Sequence, residues 1–407
     1  MRCRHCNNTI KDLVIDLGFQ PPSNSYLTKT DLNKQENSFP LKIFICSSCF
    51  LVQTQDTTDK TTFFNSEYAY FSSTSTSWLD HAKKFVKTVV DEFKLDKNSF
   101  VLEIASNDGY LLKNFLDRNI PCLGIEPTES TAQKAQDIGV NTWVEFFGLP
   151  LTKKIRKKYG EADLIVCNNV YAHVPDINDF TKALQQNLKE EAVVTLEFPH
   201  LLNLIKHCQF DTIYHEHYSY LSIRTVRQIF EKNNLRIFKV QKIPTHGGSV
   251  RIYGCKKNAG FKNCQSVEKI IREEKEAGLF DISKYSEFQK NAEKIKSNFL
   301  NFLIQAKSEA KKVCAYGAAA KGNTLINYAG IDNDLIPFVA DASDAKSNKF
   351  LPGSRIPICK PETLIEYEPD IVIILPWNLA SEIKNQFSQL AEQGCKFFTF
   401  VPKVMEV

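Results

Sequence analysis

Two short segments gather ionisable side chains far more densely than the rest of the chain: Tyr214-His215-Glu216-His217-Tyr218, and Asn168-Asn169-Val170-Tyr171-Ala172-His173-Val174. Two histidines, an acid and flanking tyrosines within five positions would be costly to bury without a task. Histidine is the side chain best suited to take a proton near neutral pH, and a tyrosine or imidazole donor can stabilise the oxyanion that forms when the proton leaves a carbon beside a carbonyl. A metal site built from His173, His215 and His217, with Glu216 completing the set, is the competing reading. Acid–base work is favoured. In an extended segment Tyr214 and Glu216 would face one way and His215 and His217 the other, which leaves the choice of base open between the two histidines.

A second constellation lies at the start of the chain. Cys3-Arg4-His5-Cys6 and Cys46-Ser47-Ser48-Cys49 are two CxxC knuckles, each able to place two thiolates on one metal ion. Four sulfurs make a closed tetrahedral zinc site with no open position for a reacting water, so its expected role is structural. His5 is a possible substitute for one cysteine. Neither pair opens a thioredoxin-like βαβ unit, which argues against redox use.

These groups need a scaffold, and the sequence supplies one. From residue 100 short β-rich runs alternate with helical patterns: Phe100–Ile104, Cys122–Glu126, Thr142–Phe147, Asp163–Asn168 and Ala192–Phe198. That is a parallel, doubly wound sheet. A helix near Ile223–Lys232 and the strands Arg236–Ile243 and Ser249–Cys255, joined by a turn at 244–248, complete it as an antiparallel pair. Five parallel strands ending this way resemble the class I methyltransferase fold, whose cofactor is S-adenosylmethionine. The loop Glu103-Ile104-Ala105-Ser106-Asn107-Asp108-Gly109 then falls at the usual cofactor turn. Only one of the customary glycines is present, but Gly109 permits close backbone approach, and Ala105 and Ser106 are small. Glu126 ends the second strand, where a carboxylate can accept both ribose hydroxyls. Asn168 ends the fourth strand, on the carboxyl edge where open α/β sheets bind ligands.

Beyond a helical connector over roughly 266–312, a further α/β unit starts at Val313-Cys314-Ala315-Tyr316-Gly317-Ala318-Ala319-Ala320-Lys321-Gly322-Asn323. A strand feeding a glycine-flanked helix start suits a phosphate, and Lys321 adds charge. The pattern is not a Walker motif, so ATP hydrolysis is not indicated and a nucleotide diphosphate is the simplest ligand. Ile336–Ala340, ending at Asp341, with Asp370–Leu375 and Lys396–Val401 supply its other strands. The expected division is a zinc-binding domain over 1–66, a methyltransferase domain over 67–260 and a Rossmann-like sugar-nucleotide-binding domain over 261–407.

At 407 residues, 43% apolar and 24% charged, the chain has the composition of a multi-domain globular protein. Its net charge of +4 and its one dense basic run, Lys153–Lys158, read as a solvated helix face rather than a nucleic-acid stripe. No apolar run approaches a membrane span and the first residues lack the apolar stretch of a signal peptide, so a cytoplasmic location is expected. Most of the twelve cysteines sit singly in apolar strands and read as core. Phe63-Phe64-Asn65-Ser66-Glu67-Tyr68-Ala69-Tyr70-Phe71 forms an aromatic connection to a helix beginning near Ser75.

Taken together, the cysteine set, Glu103–Gly109, Ala172-His173-Val174-Pro175, Tyr214–His217, His246-Gly247-Gly248 and Tyr316–Gly322 resemble, in this order and along the whole chain, the sugar-nucleotide C-methyltransferases of deoxysugar biosynthesis. That family methylates a carbon beside the ketone of nucleotide-linked 4-keto sugars. The resemblance implies His217 as the base, with Tyr214, Glu216 and His173 around the sugar and Tyr68 or Tyr70 closing the pocket. It implies Glu103, Ala105, Ser106, Asn107, Gly109, Glu126 and Asn168 at the cofactor. It also implies His215, His246, Lys321, Asn323 and Asp341 on the substrate side, with His215 standing where some members carry an acid. Three rival readings make distinct predictions: a zinc-ribbon nucleic-acid methyltransferase would need a basic stripe, a non-catalytic sugar-nucleotide binder would not need His217, and an NAD-dependent sugar-nucleotide dehydrogenase or epimerase would retain a nicotinamide cofactor. The nucleotide, the sugar, the carbon methylated, its stereochemistry and the oligomeric state are not written in these motifs.

Overall fold

A computed structural model describes residues 1–57 and 71–407. Three sheets organise it. The first is antiparallel, with strands β1 (Asp12–Gln20), β2 (Phe39–Ile45) and β3 (Val52–Thr54). The second holds β4 (Val101–Ile104), β5 (Cys122–Ile125), β6 (Thr142–Trp143), β7 (Ala162–Asn168) and β8 (Leu188–Pro199). A two-residue strand β9 (Ser219–Tyr220) leaves this unit to pair with β3, so the first sheet runs β1-β2-β3-β9. The strands β10 (Leu235–Ile243) and β11 (Ser249–Lys256) return to the second sheet, whose order is β10-β11-β8-β7-β4-β5-β6.

The five expected parallel strands all form, and β6 is shorter than the sequence pattern suggested. The terminal pair is antiparallel, as expected. Strand β11 is antiparallel both to β8 and to β10, so it lies between them and β10 runs in the same direction as the five. With a neighbour on each side, β11 is buried along nearly its whole length.

The strand β4 is buried at every position, as expected of a parallel strand covered on both faces. One face packs on the helices at Leu149–Tyr159, Ile177–Asn187 and Ile223–Lys232, and this core also takes in Cys3, Cys46, Cys49 and Leu51. The other face packs on the helix Thr76–Phe93, capped by the Ser75 hydroxyl accepting from the Trp78 amide.

The third sheet, β12 (Val313–Tyr316), β13 (Val339–Ala340), β14 (Ile358–Cys359), β15 (Ile371–Ile374), β16 (Lys396–Thr399) and β17 (Met405–Glu406), has the order β14-β13-β12-β15-β16-β17. Its first five strands are parallel and β17 is antiparallel. The two-residue strands β14 and β17 carry too little pattern to be seen in sequence. The long helix Ser286–Ser308 lays Phe288, Ile295, Phe299 and Leu303 into a core shared by β1, β2 and one face of this sheet. No helix among the described residues is long and apolar enough to cross a membrane.

Candidate active site

The carboxyl edges of the second and third sheets face one cavity of about 360 Å³. It is lined from three directions. The methyltransferase sheet contributes Ala105, Asn107, Glu126 and Asn168; the segments after β7, β8 and β10 contribute His173, Tyr214, Glu216, His217 and His246; and the start of the helix Ala320–Ala329 contributes Ala319, Ala320 and Lys321.

On the cofactor side the chain turns sharply after β4, with Ala105 at φ 56°, Asn107 at φ 49° and Gly109 at φ 78°. The Glu126 carboxylate holds this left-handed turn by accepting from the Asn107 amide at 2.9 Å and the Thr128 amide at 2.9 Å. Burial raises the pKa of Glu126, these amide bonds opposing the rise. Asn168 is 8% exposed, lines the cavity, and neither its amide nitrogen nor its amide oxygen has a partner among the described residues. Buried amides are seldom left without partners, so this one fits a polar ligand such as the amino-acid portion of S-adenosylmethionine.

Three of the expected cofactor residues support the loop rather than line it. Glu103 is buried beneath the turn, where burial and then the Glu126 and Asp108 charges push its carboxyl well above the usual range. The Ser106 side chain packs so tightly on β5 that a Cβ on Gly124 would lie 2.3 Å from its Oγ. Gly109 is pressed against Ala135 and Val140.

The Tyr214–His217 segment is a turn, closed by the His217 amide donating to the Tyr214 carbonyl at 3.0 Å. Strand alternation therefore fails, and the reading that set Tyr214 and Glu216 against His217 is corrected: all three line the cavity. His215 turns away to lie 3.3 Å from the Phe39 carbonyl and edge-on to the Phe39 ring, and it is not among the cavity's lining residues. The histidines do not converge as a metal set; among the described residues the one metal-like cluster is the cysteine set.

His217 stands 4.0 Å, centroid to centroid, from the Tyr214 ring and 4.6 Å from the His173 ring. Its Nδ1 lies 3.0 Å from the Thr212 carbonyl oxygen. A carbonyl only accepts, so Nδ1 carries the hydrogen and Nε2 keeps its lone pair. Burial, followed by the neighbouring His173, drives the His217 pKa well below that of free histidine. Burial likewise brings His173 and His246 down to about 4. Glu216, whose Oε1 accepts from the Asn24 amide at 2.9 Å, is raised by burial to about 7. Burial thus favours the uncharged form of all three imidazoles and the protonated form of the Glu216 carboxyl.

On the far side, Lys321 donates to the Asn378 amide oxygen at 2.6 Å and sits 4.6 Å above the Trp377 ring. A second cation, Lys346, also lines the cavity. Two other expected substrate residues are placed differently. Asp341 is engaged by the Ala318 amide at 2.7 Å, the Ser343 amide at 2.9 Å and Lys346 at 3.3 Å, and it braces the loop rather than facing the cavity. Asn323 is buried in the helix, off the cavity surface. Tyr68 and Tyr70 lie outside the described residues. Sequence reasoning missed Asn24, Tyr26, Trp78 and Lys346, which line the cavity from distant parts of the chain and carry no local motif. It also missed Glu197, buried at the end of β8 and bonded by Arg251 at 2.5 Å and His81 at 3.0 Å.

At the other end, the sulfurs of Cys3, Cys6, Cys46 and Cys49 all lie within 4.8 Å of one another. A zinc tetrahedron with bonds of about 2.3 Å holds sulfurs about 3.8 Å apart, so the set fits the ion. Each knuckle ends in a left-handed residue, Asn7 at φ 66° and Phe50 at φ 61°, whose amide returns to the carbonyl of Cys3 or Cys46. Gln53 Nε2 lies 3.3 Å from the Cys3 sulfur. His5 is not a ligand, because its Nδ1 pairs with Asn178 at 3.0 Å. The knuckle is fastened to the segment that follows His173: Arg4 donates to the Pro175 carbonyl at 2.9 Å, and Asn178 donates to the Arg4 and His5 carbonyls.

A seven-stranded sheet of this order, with a ligand cavity at its carboxyl edge, defines a class I S-adenosylmethionine-dependent methyltransferase. Family models match the chain in three stretches: a zinc binding domain over 3–64, a methyltransferase domain over 78–240 and a C-methyltransferase C-terminal domain over 244–402. The C-methyltransferase NovU of Streptomyces niveus is 30% identical over 401 residues, spanning 98% of this chain and 95% of that protein. The chain therefore belongs to the C-methyltransferase family and is an S-adenosylmethionine-dependent enzyme with a structural zinc site. Among solved structures, the PH0226 protein from Pyrococcus horikoshii matches at 14% identity and a TM-score of 0.39, over 46% of this chain and 95% of its own. The magnesium protoporphyrin IX methyltransferase of Synechocystis with bound SAM matches at 13% and 0.34, over 44% and 79%.

Proposed function

We propose that this enzyme methylates a carbon next to the ketone of a nucleotide-linked 4-keto-6-deoxysugar, with His217 removing the proton from that carbon. The observation that carries the reading is the Thr212 carbonyl on His217 Nδ1, which commits the free lone pair to Nε2 in the cavity. A neutral imidazole that burial holds well below the ordinary histidine pKa remains unprotonated, and so competent as a base, throughout the physiological range.

Asn107, Glu126 and Asn168, which line the cavity beside the Ala105 turn, would hold S-adenosylmethionine, and the cofactor would supply an electrophilic methyl group. The chain's own work is to make the acceptor carbon a nucleophile. With Nε2 taking the proton, negative charge develops on the ketone oxygen, and hydrogen-bond donors on Tyr214 and His173 are suited to stabilise it. Glu216, neutral for part of the time near pH 7, can donate as well as accept.

Lys321, Lys346 and the free amides that open the helix Ala320–Ala329 give the far side the positive character that a diphosphate requires. The same reading divides the chain into a zinc-binding unit over 1–66, a methyltransferase unit over 67–260 and a sugar-nucleotide unit over 261–407, and takes the substrate to be a small molecule met in the cytoplasm rather than a nucleic acid.

The test is mass spectrometry of a panel of nucleotide-linked 4-keto-6-deoxysugars incubated with enzyme and S-adenosylmethionine. One methyl replacing one hydrogen adds about 14 Da, and fragmentation places it on carbon if the chemistry is enolate-based. No mass gain on any keto sugar, from protein shown to bind S-adenosylhomocysteine, would remove the substrate assignment while leaving the enzyme class untouched.

A further inference from the structure

The carbonyl that sets the His217 tautomer sits in a turn closed locally by Thr212 bonding to the Gln209 carbonyl, and the residues on either side of it are tied to the C-terminal unit. Thr212 closes a short helical turn, Phe210–Thr212. Its neighbour Asp211 is 1% exposed and accepts from the indole Nε1 of Trp377 at 2.6 Å. The next residue, Ile213, gives its carbonyl to the Thr324 hydroxyl at 3.0 Å. Both donors belong to the β12–β17 unit, more than a hundred residues away in sequence.

The Trp377 ring is itself fitted to the methyltransferase unit. It lies over Gly247, where an added Cβ would meet Cη2 at 2.2 Å, and Gly247 stands at φ 81°, so a side chain is excluded twice over. Gln209 completes the clamp by donating to the Gly247 carbonyl at 2.9 Å. Lys321 also rests on this indole, its Nζ 4.6 Å from the ring centroid.

On the reading of His217 as the base, we infer that Trp377 and Asp211 are positioning residues: their hydrogen bond fixes the Thr212 carbonyl, and through it the Nδ1–H tautomer and ring orientation of His217. The C-terminal unit then does more than bind substrate. It completes the geometry of a base that belongs to another unit, and a misplacement of about 1 Å at a reacting group can cost about 10²-fold in rate.

Trp377→Phe deletes the N–H together with the outer part of the indole that lies over Gly247, so Asp211→Leu, which removes the acceptor and leaves the indole in place, is read beside it. Asp211→Asn keeps an oxygen that can accept from the indole and serves as the conservative rescue; Asp211→Leu has no acceptor. The expected result, per folded molecule counted by S-adenosylhomocysteine titration, is a kcat lowered about 10- to 100-fold in Trp377→Phe and Asp211→Leu, with KM within about threefold of native and Asp211→Asn close to native. Nitrogen NMR of ¹⁵N-histidine-labelled protein should show His217 as the Nδ1–H tautomer in the native enzyme and as a mixture in Trp377→Phe. If Trp377→Phe turns over at the native rate, or if its tautomer is unchanged, the inference is overturned. His217→Asn is measured alongside: should that variant retain activity, the assignment of the base fails, whereas loss in His217→Asn with none in Trp377→Phe removes this inference alone.

Discussion

Replacing His217 by asparagine separates the two jobs that its ring performs. An asparagine amide reaches about as far as Nδ1 and can still donate to the Thr212 carbonyl, now 3.0 Å from Nδ1, so the turn at Tyr214–His217 should persist. What is lost is Nε2. A general base positioned in the transition state contributes about 10²–10⁴-fold, equivalent to about 3–5 kcal/mol of barrier, and His217→Asn should lower kcat by that factor. Because the residues proposed to hold the cofactor are Asn107, Glu126 and Asn168, affinity for S-adenosylhomocysteine should stay within about twofold. The assay is single-turnover methyl transfer to the keto sugar, followed by mass and paired with calorimetric titration of S-adenosylhomocysteine. A kcat within threefold of native, with folding and cofactor affinity intact, would refute the argument that the tautomer at Thr212 marks the base.

Other outcomes follow from the same geometry. Asn168→Ala removes two polar atoms that have no partner among the described residues and should weaken S-adenosylhomocysteine binding by about tenfold or more in calorimetry, with the melting temperature unchanged or raised. Glu216, raised from 4.5 to about 7 by burial, binds its proton more tightly folded than unfolded, so the cost of ionising it in the fold grows as pH climbs from 4.5 through 7. Glu216→Gln should accordingly match native stability near pH 4.5 and exceed it by up to about 3 kcal/mol at pH 8 in denaturant titrations, while turnover falls. Stripping zinc with a strong chelator, or Cys46→Ser, should lower the melting temperature steeply and release the Arg4–Pro175 and Asn178 contacts behind His173, with loss of one zinc per chain by atomic absorption.

Much of this arrangement was legible in the sequence because local patterns carry it. The two CxxC knuckles, the alternation of strands and helices from residue 100, and the carboxylate closing β5 are each set by residues within a few positions of one another. The errors fall where tertiary context decides. Strand alternation sorted the Tyr214–His217 segment wrongly because a turn hydrogen bond, not a sheet, shapes it. Asp341 at the end of a strand looks identical in sequence whether it faces a ligand or braces the Ala318 amide. Asn24, Tyr26 and Lys346 reach the cavity from opposite ends of the chain, and Trp377 reaches Asp211 across 166 positions, so no window of sequence shows either relation.

The central claim is that His217 acts on a carbon acid, and proton exchange reads that step without methyl transfer. The enzyme, saturated with S-adenosylhomocysteine, is incubated in D2O with the keto sugar it methylates, and proton NMR follows the signals beside the ketone. The account predicts enzyme-dependent loss of the one signal at the carbon that becomes methylated, abolished in His217→Asn. Exchange at that carbon equal in native enzyme and His217→Asn would contradict it.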